Sequence, residues 1–216
     1  MTRILAALLL WVLLAAALPA VETSTISLDD LAAKSDLVVL AQARDTDYFM
    51  RREIPVSGSA YLRVLIPYKT DQSVDIVEVY EKGLHKNECY FSNPTVFEEG
   101  RRYLLFLVRD PDDPERYRGH PEGCALEVLV DSDNRYALRY PVDGIQLSDD
   151  LEALARPMTF SDGYSVTKDE DLSPDKRNAM RSAGQIEAHG EAGWRYTRGI
   201  PLGEARRLIG PEALER

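Results

Sequence analysis

Two cysteines and three histidines carry most of the reactive chemistry in this 216-residue chain. Each cysteine follows a histidine by four residues, in His85-Lys-Asn-Glu-Cys89 and His120-Pro-Glu-Gly-Cys124. Two such His-x3-Cys pairs could assemble a tetrahedral zinc site, because imidazole and thiolate are the ligands that zinc takes. On that basis a metal-dependent hydrolase using His85 and His120 is one reading of the chain. The competing reading joins Cys89 to Cys124 as a disulfide. Redox compartment decides between them, since thiols pair in an oxidising space and stay reduced in the cytosol.

The N-terminus speaks to compartment. Arg3 precedes an apolar run from Ile4 to Ala17, and Leu18-Pro19-Ala20 ends in a small residue of the kind signal peptidase accepts. The run is short against the roughly 20 apolar residues that span a bilayer. Residues 1–20 are therefore expected to be a signal peptide cleaved after Ala20, leaving a periplasmic or secreted protein with no membrane anchor. A Cys89–Cys124 disulfide is the expectation in that space. In the chain-entropy model, closing about 35 residues contributes roughly 3–4 kcal/mol.

Other chemistry is sparse. The sequence has no G-x-S-x-G, S-x-x-K, H-E-x-x-H or C-x-x-C. The acidic loops Asp110-Pro-Asp-Asp-Pro-Glu115 and Asp131-Ser-Asp-Asn134 crowd oxygen donors, but lack the glycine and distal glutamate of a calcium loop. They read as a solvated loop and a turn. With 36 acidic against 26 basic residues the net charge is −10, which disfavours nucleic acid, whose phosphates need a basic face. No catalytic residue, cofactor or metal ligand is assigned. Eleven tyrosines are present, and Tyr136, Tyr140 and Trp194 are the candidate partner-binding aromatics, since Tyr and Trp combine apolar area with a polar handle.

The elements that must position these residues are mostly strands. Ser27-Leu-Asp-Asp30 reads as a helix cap, with Leu28, Leu31 and Ala32 on one face. Leu37–Ala43 is a β-branched apolar run, followed by a polar stretch from Arg51 to Ser59 and strands over Ala60–Tyr68 and Ser73–Glu81. Tyr103–Val108 is apolar on both faces and so is expected to be buried on both. Leu126, Val128 and Val130, then Tyr136, Leu138 and Tyr140, alternate about the Asp131–Asn134 turn as a hairpin. These runs predict a mainly β chain: a five- to six-stranded antiparallel OB-like barrel over residues 21–144, with short packed helices. Residues 145–216 are expected to be a C-terminal extension. It comprises a short helix near Leu151, a polar linker from Ser161 to Gly193, and an amphipathic helix carrying Leu202, Ala205, Leu208 and Ile209.

The series Ser35-Asp-Leu-Val-Val-Leu-Ala-Gln-Ala43, Val77-Glu-Val-Tyr80, Phe97-Glu-Glu-Gly-Arg-Arg-Tyr-Leu-Leu-Phe-Leu107 and the Cys124 hairpin resembles bacterial exported proteins with the netrin-like OB fold. The best-known members of that fold are the tissue inhibitors of metalloproteases. The resemblance covers roughly residues 27–142. It implies a barrel with a helix packed on it, and a role in binding. In those inhibitors a cysteine at the mature N-terminus chelates the protease zinc; here the mature chain would begin Val21-Glu22-Thr23, so that element is missing. The expected function is an exported, non-enzymatic binding module whose partner is an extracytoplasmic protein or ligand. A protease-inhibitor-like module lacking the N-terminal cysteine is the alternative.

Overall fold

The computed structural model describes residues 25–52, 54–83, 89, 91, 96–143, 145, 149–191 and 193–209. The expected signal segment and His85 lie outside these residues. Helix α1 (Leu28–Lys34) begins where its sequence says it should: the Ser27 hydroxyl accepts the Asp30 N–H at 3.1 Å, and Leu28, Leu31 and Ala32 are buried. It leads into two long strands, β1 (Leu37–Arg51) and β2 (Ile54–Lys69). Then follow β3 (Ile76–Glu81), β4 (Arg102–Arg109) and the short β5 (Tyr117–Gly119).

These five strands close into a barrel. The order runs β1-β2-β3-β5-β4, and β4 returns to β1 with Leu37 opposite Leu107 and Gln42 opposite Arg102. The fold is thus mainly β with an OB-like barrel. One pairing departs from the all-antiparallel expectation: β3 meets β5 in parallel at Val79 and Tyr117.

Alternation along β1 and β4 divides the apolar side chains between two cores. Leu37, Val39, Ala41 and Ala43 point into the barrel with Tyr103, Leu105 and Leu107. Val38, Leu40, Leu104 and Phe106 point outward, under α1. This accounts for a β4 sequence with no polar face, as each of its faces has its own core.

The hairpin of β6 (Ala125–Val130) and β7 (Tyr136–Tyr140) forms in the expected register, with Val128 opposite Leu138 and Val130 opposite Tyr136. Strand β6 shares one edge of β4 with β5: Arg102–Leu105 pair with β6, and Leu107–Arg109 with β5. Between them the chain makes an excursion. Its ends are held by the His120 N–H on the Phe106 carbonyl at 3.1 Å and the Phe106 N–H on the Cys124 carbonyl at 2.7 Å.

The C-terminal portion corrects the expectation of a polar linker from Ser161 to Gly193. After the short helix α2 (Asp149–Glu152), β8 (Arg156–Pro157) and β12 (Arg198–Pro201) extend the main sheet, with β12 lying between β7 and β8. Residues expected to be polar linker instead build β9 (Val166–Lys168), helix α3 (Pro174–Ser182) and β10 (Ile186–His189). With β11 (Gly193–Tyr196) these strands form a second sheet in the order β10-β11-β9. Leu172, Met180 and Ile186 are too few for a free-standing core. They gain one by packing with Phe160 and Tyr196 on Leu129 and Ala137 of the β6–β7 hairpin. Helix α4 (Leu202–Arg207) is shorter than expected, but Leu202 and Ala205, with Ile209 just beyond its end, enter the core shared with α1.

Candidate interaction surface

Cys89 and Cys124 are bonded, with their Cα atoms 5.4 Å apart and both side chains buried. Joined sulfurs cannot serve as zinc thiolates, so the zinc reading fails on its cysteines. His120 is also buried, and its Nδ1 accepts the Glu122 N–H at 3.2 Å. Burial pushes the His120 imidazole below its ordinary pKa of 6.5. The ring supports the excursion that brings Cys124 to Cys89.

The Phe97-x-x-Gly100-x-x-Tyr103 spacing has a physical cause. Gly100 sits at φ 86°, where its N–H reaches the Ala43 carbonyl at 2.8 Å. The turn folds Phe97 onto Tyr103, with ring centroids 4.9 Å apart, and Phe91 stacks beside them at 5.4 Å from Tyr103. A Cβ at Gly100 would stand 2.3 Å from the Tyr164 hydroxyl, which donates to the Glu99 carbonyl at 2.9 Å. One glycine therefore supports both the Phe91–Phe97–Tyr103 cluster and the docking of the C-terminal portion.

The acidic loops are occupied by their own chain. Asp110 has a fully buried side chain that meets Arg116 at 2.8 Å and Arg118 at 3.1 Å and accepts the Asp112 N–H at 2.9 Å. Burial alone would raise its carboxyl; that N–H and the two guanidiniums outweigh it and hold the group below 3.8. Asp131 likewise accepts the N–H groups of Asp133 at 2.9 Å and Arg135 at 2.8 Å, which is turn chemistry. Among the described residues no group of three or more His, Cys, Asp or Glu stands close enough to share a metal ion.

Tyr136, Tyr140 and Trp194 do not converge. The two tyrosines lie half-buried on the β7 face turned toward α1 and α4, whereas Trp194 packs on the separate core of the second sheet. Its indole N–H donates to Asp169 at 2.7 Å, and Arg177 bonds the same carboxylate at 2.6 Å. The Trp194 and Arg177 bonds together hold Asp169 below its ordinary pKa.

The surface that sequence reasoning missed is at the far end of β1 and β2. The Arg51–Ser59 stretch, which reads in sequence only as a polar stretch, continues the ladder to a tight turn: Tyr48 pairs with Gly58, Phe49 with Ser57, and Arg51 with Ile54. Strand β3 ends at Glu81, opposite Gly58, so a two-stranded arm runs on about 10 Å at 3.3 Å per residue. Gly58 makes this close approach possible, since at φ 146° a Cβ there would lie 2.2 Å from the Asp47 carbonyl oxygen. Arg52 turns the chain with φ 51°, the left-handed region that two-residue hairpins use.

The arm's tip is apolar. Phe49 is 65% exposed, Met50 43%, Ile54 51% and Val56 39%, and among the described residues Ile76 is the only other large hydrophobic so exposed. Exposed Arg51 and Arg52 stand at the same tip, without an ion-pair partner among the described residues. Arginine and exposed apolar side chains are residue types enriched at interface centres. The available signal was the sequence Tyr48-Phe-Met50 and Ile54-Pro-Val56 on either side of Arg51-Arg52: two short apolar runs about a charged turn.

No helix among the described residues is long and apolar enough to cross a membrane. Compared with protein-family models, with curated proteins and with solved structures, the chain matches none.

Proposed function

We propose that this chain is an exported, non-enzymatic binding module of the netrin-like OB type that engages an extracytoplasmic protein with the tip of its β1–β2 arm. The observation that carries the reading is the exposure of Phe49, Met50, Ile54 and Val56 at the end of the β1–β2 ribbon, where buried Pro55 is the exception. Fully burying one such side chain contributes about 1.5–3 kcal/mol, free energy that folding leaves unused and a partner's groove would gain. Arg51 and Arg52 call for an acidic rim on that groove. The disulfide supports an oxidising compartment, and the apolar segment Ile4–Ala17 supports export.

The test is affinity capture from periplasm or culture medium with the mature protein and with a Phe49→Ser, Ile54→Ser variant. Both side chains are exposed, so the variant should melt with the parent. A captured protein that is lost with the variant supports the arm as the contact. Recovery of the same protein by both chains, or of nothing by either, overturns it.

A further inference from the structure

A second surface points to a small ligand, independently of the arm. A cleft of about 450 Å³ opens between the end of β2, the β6–β7 turn, β8 and the first turn of α4. That volume lies within the range of small-molecule sites. Its floor is apolar, built from Ile66, Tyr68, Tyr136, Met158 and Leu202. Three arginines, Arg135, Arg156 and Arg206, stand around it with one carboxylate, Asp131.

The charges do not cancel. Asp131 is taken by Arg135 at 3.0 Å, and Arg135 also meets Asp133 at 2.5 Å. Arg156 and Arg206 have no ion-pair partner among the described residues, although 17 ion pairs connect other charges there. Glu204, two residues before Arg206, is bonded to Arg207 at 2.8 Å instead. In a protein of net charge −10, this is a local excess of two guanidiniums over an apolar floor.

We propose that the cleft binds a small amphipathic anion, an aromatic or acyl carboxylate, with its apolar body on Tyr136, Met158 and Leu202 and its carboxylate between Arg156 and Arg206. Guanidinium takes a carboxylate in paired, charge-assisted hydrogen bonds, and an apolar floor excludes water from the body of the ligand. Gly203 fits this use: a Cβ built there meets nothing within 4 Å, so the position leaves the cleft open.

The probe is 2-naphthoate, with the neutral 2-naphthamide as its isostere, titrated into the mature protein by calorimetry and by amide chemical shifts. Naphthoate should bind and shift residues of β7 and β12, with the amide weaker by about tenfold because it lacks the charge-assisted pair. The Arg156→Gln, Arg206→Gln variant should bring the two probes to equal affinity. Gly203→Phe should fill the cleft and abolish both while the melting temperature holds. Equal binding of acid and amide by the parent overturns the proposal, as does no binding by either. Naphthoate binding unchanged in Gly203→Phe also overturns it, as does a parent dimer that Gly203→Phe dissociates, which would assign the cleft to a second copy.

Discussion

Glu127 holds two arginines, Arg101 and Arg139, that contact the C-terminal portion, and its removal should be among the costliest changes of a single side chain. It stands on β6 with 11% of its side chain exposed, hydrogen-bonded to Arg101 on one side and ion-paired with Arg139 at 2.7 Å on the other. Arg139 is 12% exposed and Arg101 17%. Arg139 also donates to the Tyr196 hydroxyl of the second sheet, and Arg101 lies over the Tyr164 ring at 4.8 Å. Deleting the carboxylate strands two guanidiniums in a poorly solvated layer, where breaking a buried pair costs about 3–5 kcal/mol. Some compensation survives, because Arg101 keeps Glu98 and Arg139 keeps Asp143 at 3.9 Å. We therefore expect Glu127→Ala to cost about 3 kcal/mol, the low end of that range. With a urea slope of about 2 kcal/mol per molar, the midpoint should fall by roughly 1.5 M at unchanged slope. Arg139→Met should cost less, since Glu127 keeps Arg101. The exposed partner Asp133, replaced by alanine, should change stability by no more than about 0.5 kcal/mol. A Glu127→Ala midpoint within error of the parent, or one no lower than that of Arg139→Met, would refute this account of how the portions are joined.

Two further outcomes follow from the barrel and its loops. The disulfide spans a sequence separation of 35, so a Cys89→Ser, Cys124→Ser variant should lose about 3–4 kcal/mol in denaturant unfolding; a loss under about 1 kcal/mol would show that the reduced chain is already constrained. Stability should also fall in two steps on acidification, followed by denaturation at a series of pH values. His120 has a folded pKa below 6.5, so the unfolded chain protonates first and stability declines as pH drops below 6.5. Asp110 and Asp131 are held below 3.8, and their contribution is complete above that value and lost as pH falls beneath it. His120→Gln should remove the first step and leave the second.

What was legible in the sequence was whatever one strand or one turn decides alone. The Ser27 cap, the two-faced β4 and the hairpin about Asp131–Asn134 each follow from local pattern. The disulfide was legible from compartment and cysteine count. The second sheet was not, because Leu172, Met180 and Ile186 are too dispersed to signal a core and acquire one only by lying on Leu129 and Ala137. The arm was missed for a different reason. Arg51, Arg52 and Ser57 give it the composition of a loop, and β pairing across the turn overrode that composition. The cleft brings residues of β2, β7, β8 and α4 together, so no local spacing records it.

Strand β12 and helix α4 also bear on the order of events when the chain is made. Val38 and Leu40 near one end of the chain share a core with Ile200, Leu202 and Ala205 near the other. A polypeptide emerging N-terminus first can form the β1–β2 ribbon early, yet its largest shared core stays open until residue 209 is free. Such long-range closure slows folding and delays commitment to the native state. Cutting the chain between β11 and β12 would therefore do more than remove a tail: it would expose Leu138 and the underside of α1 to water, and proteases would meet a half-built core.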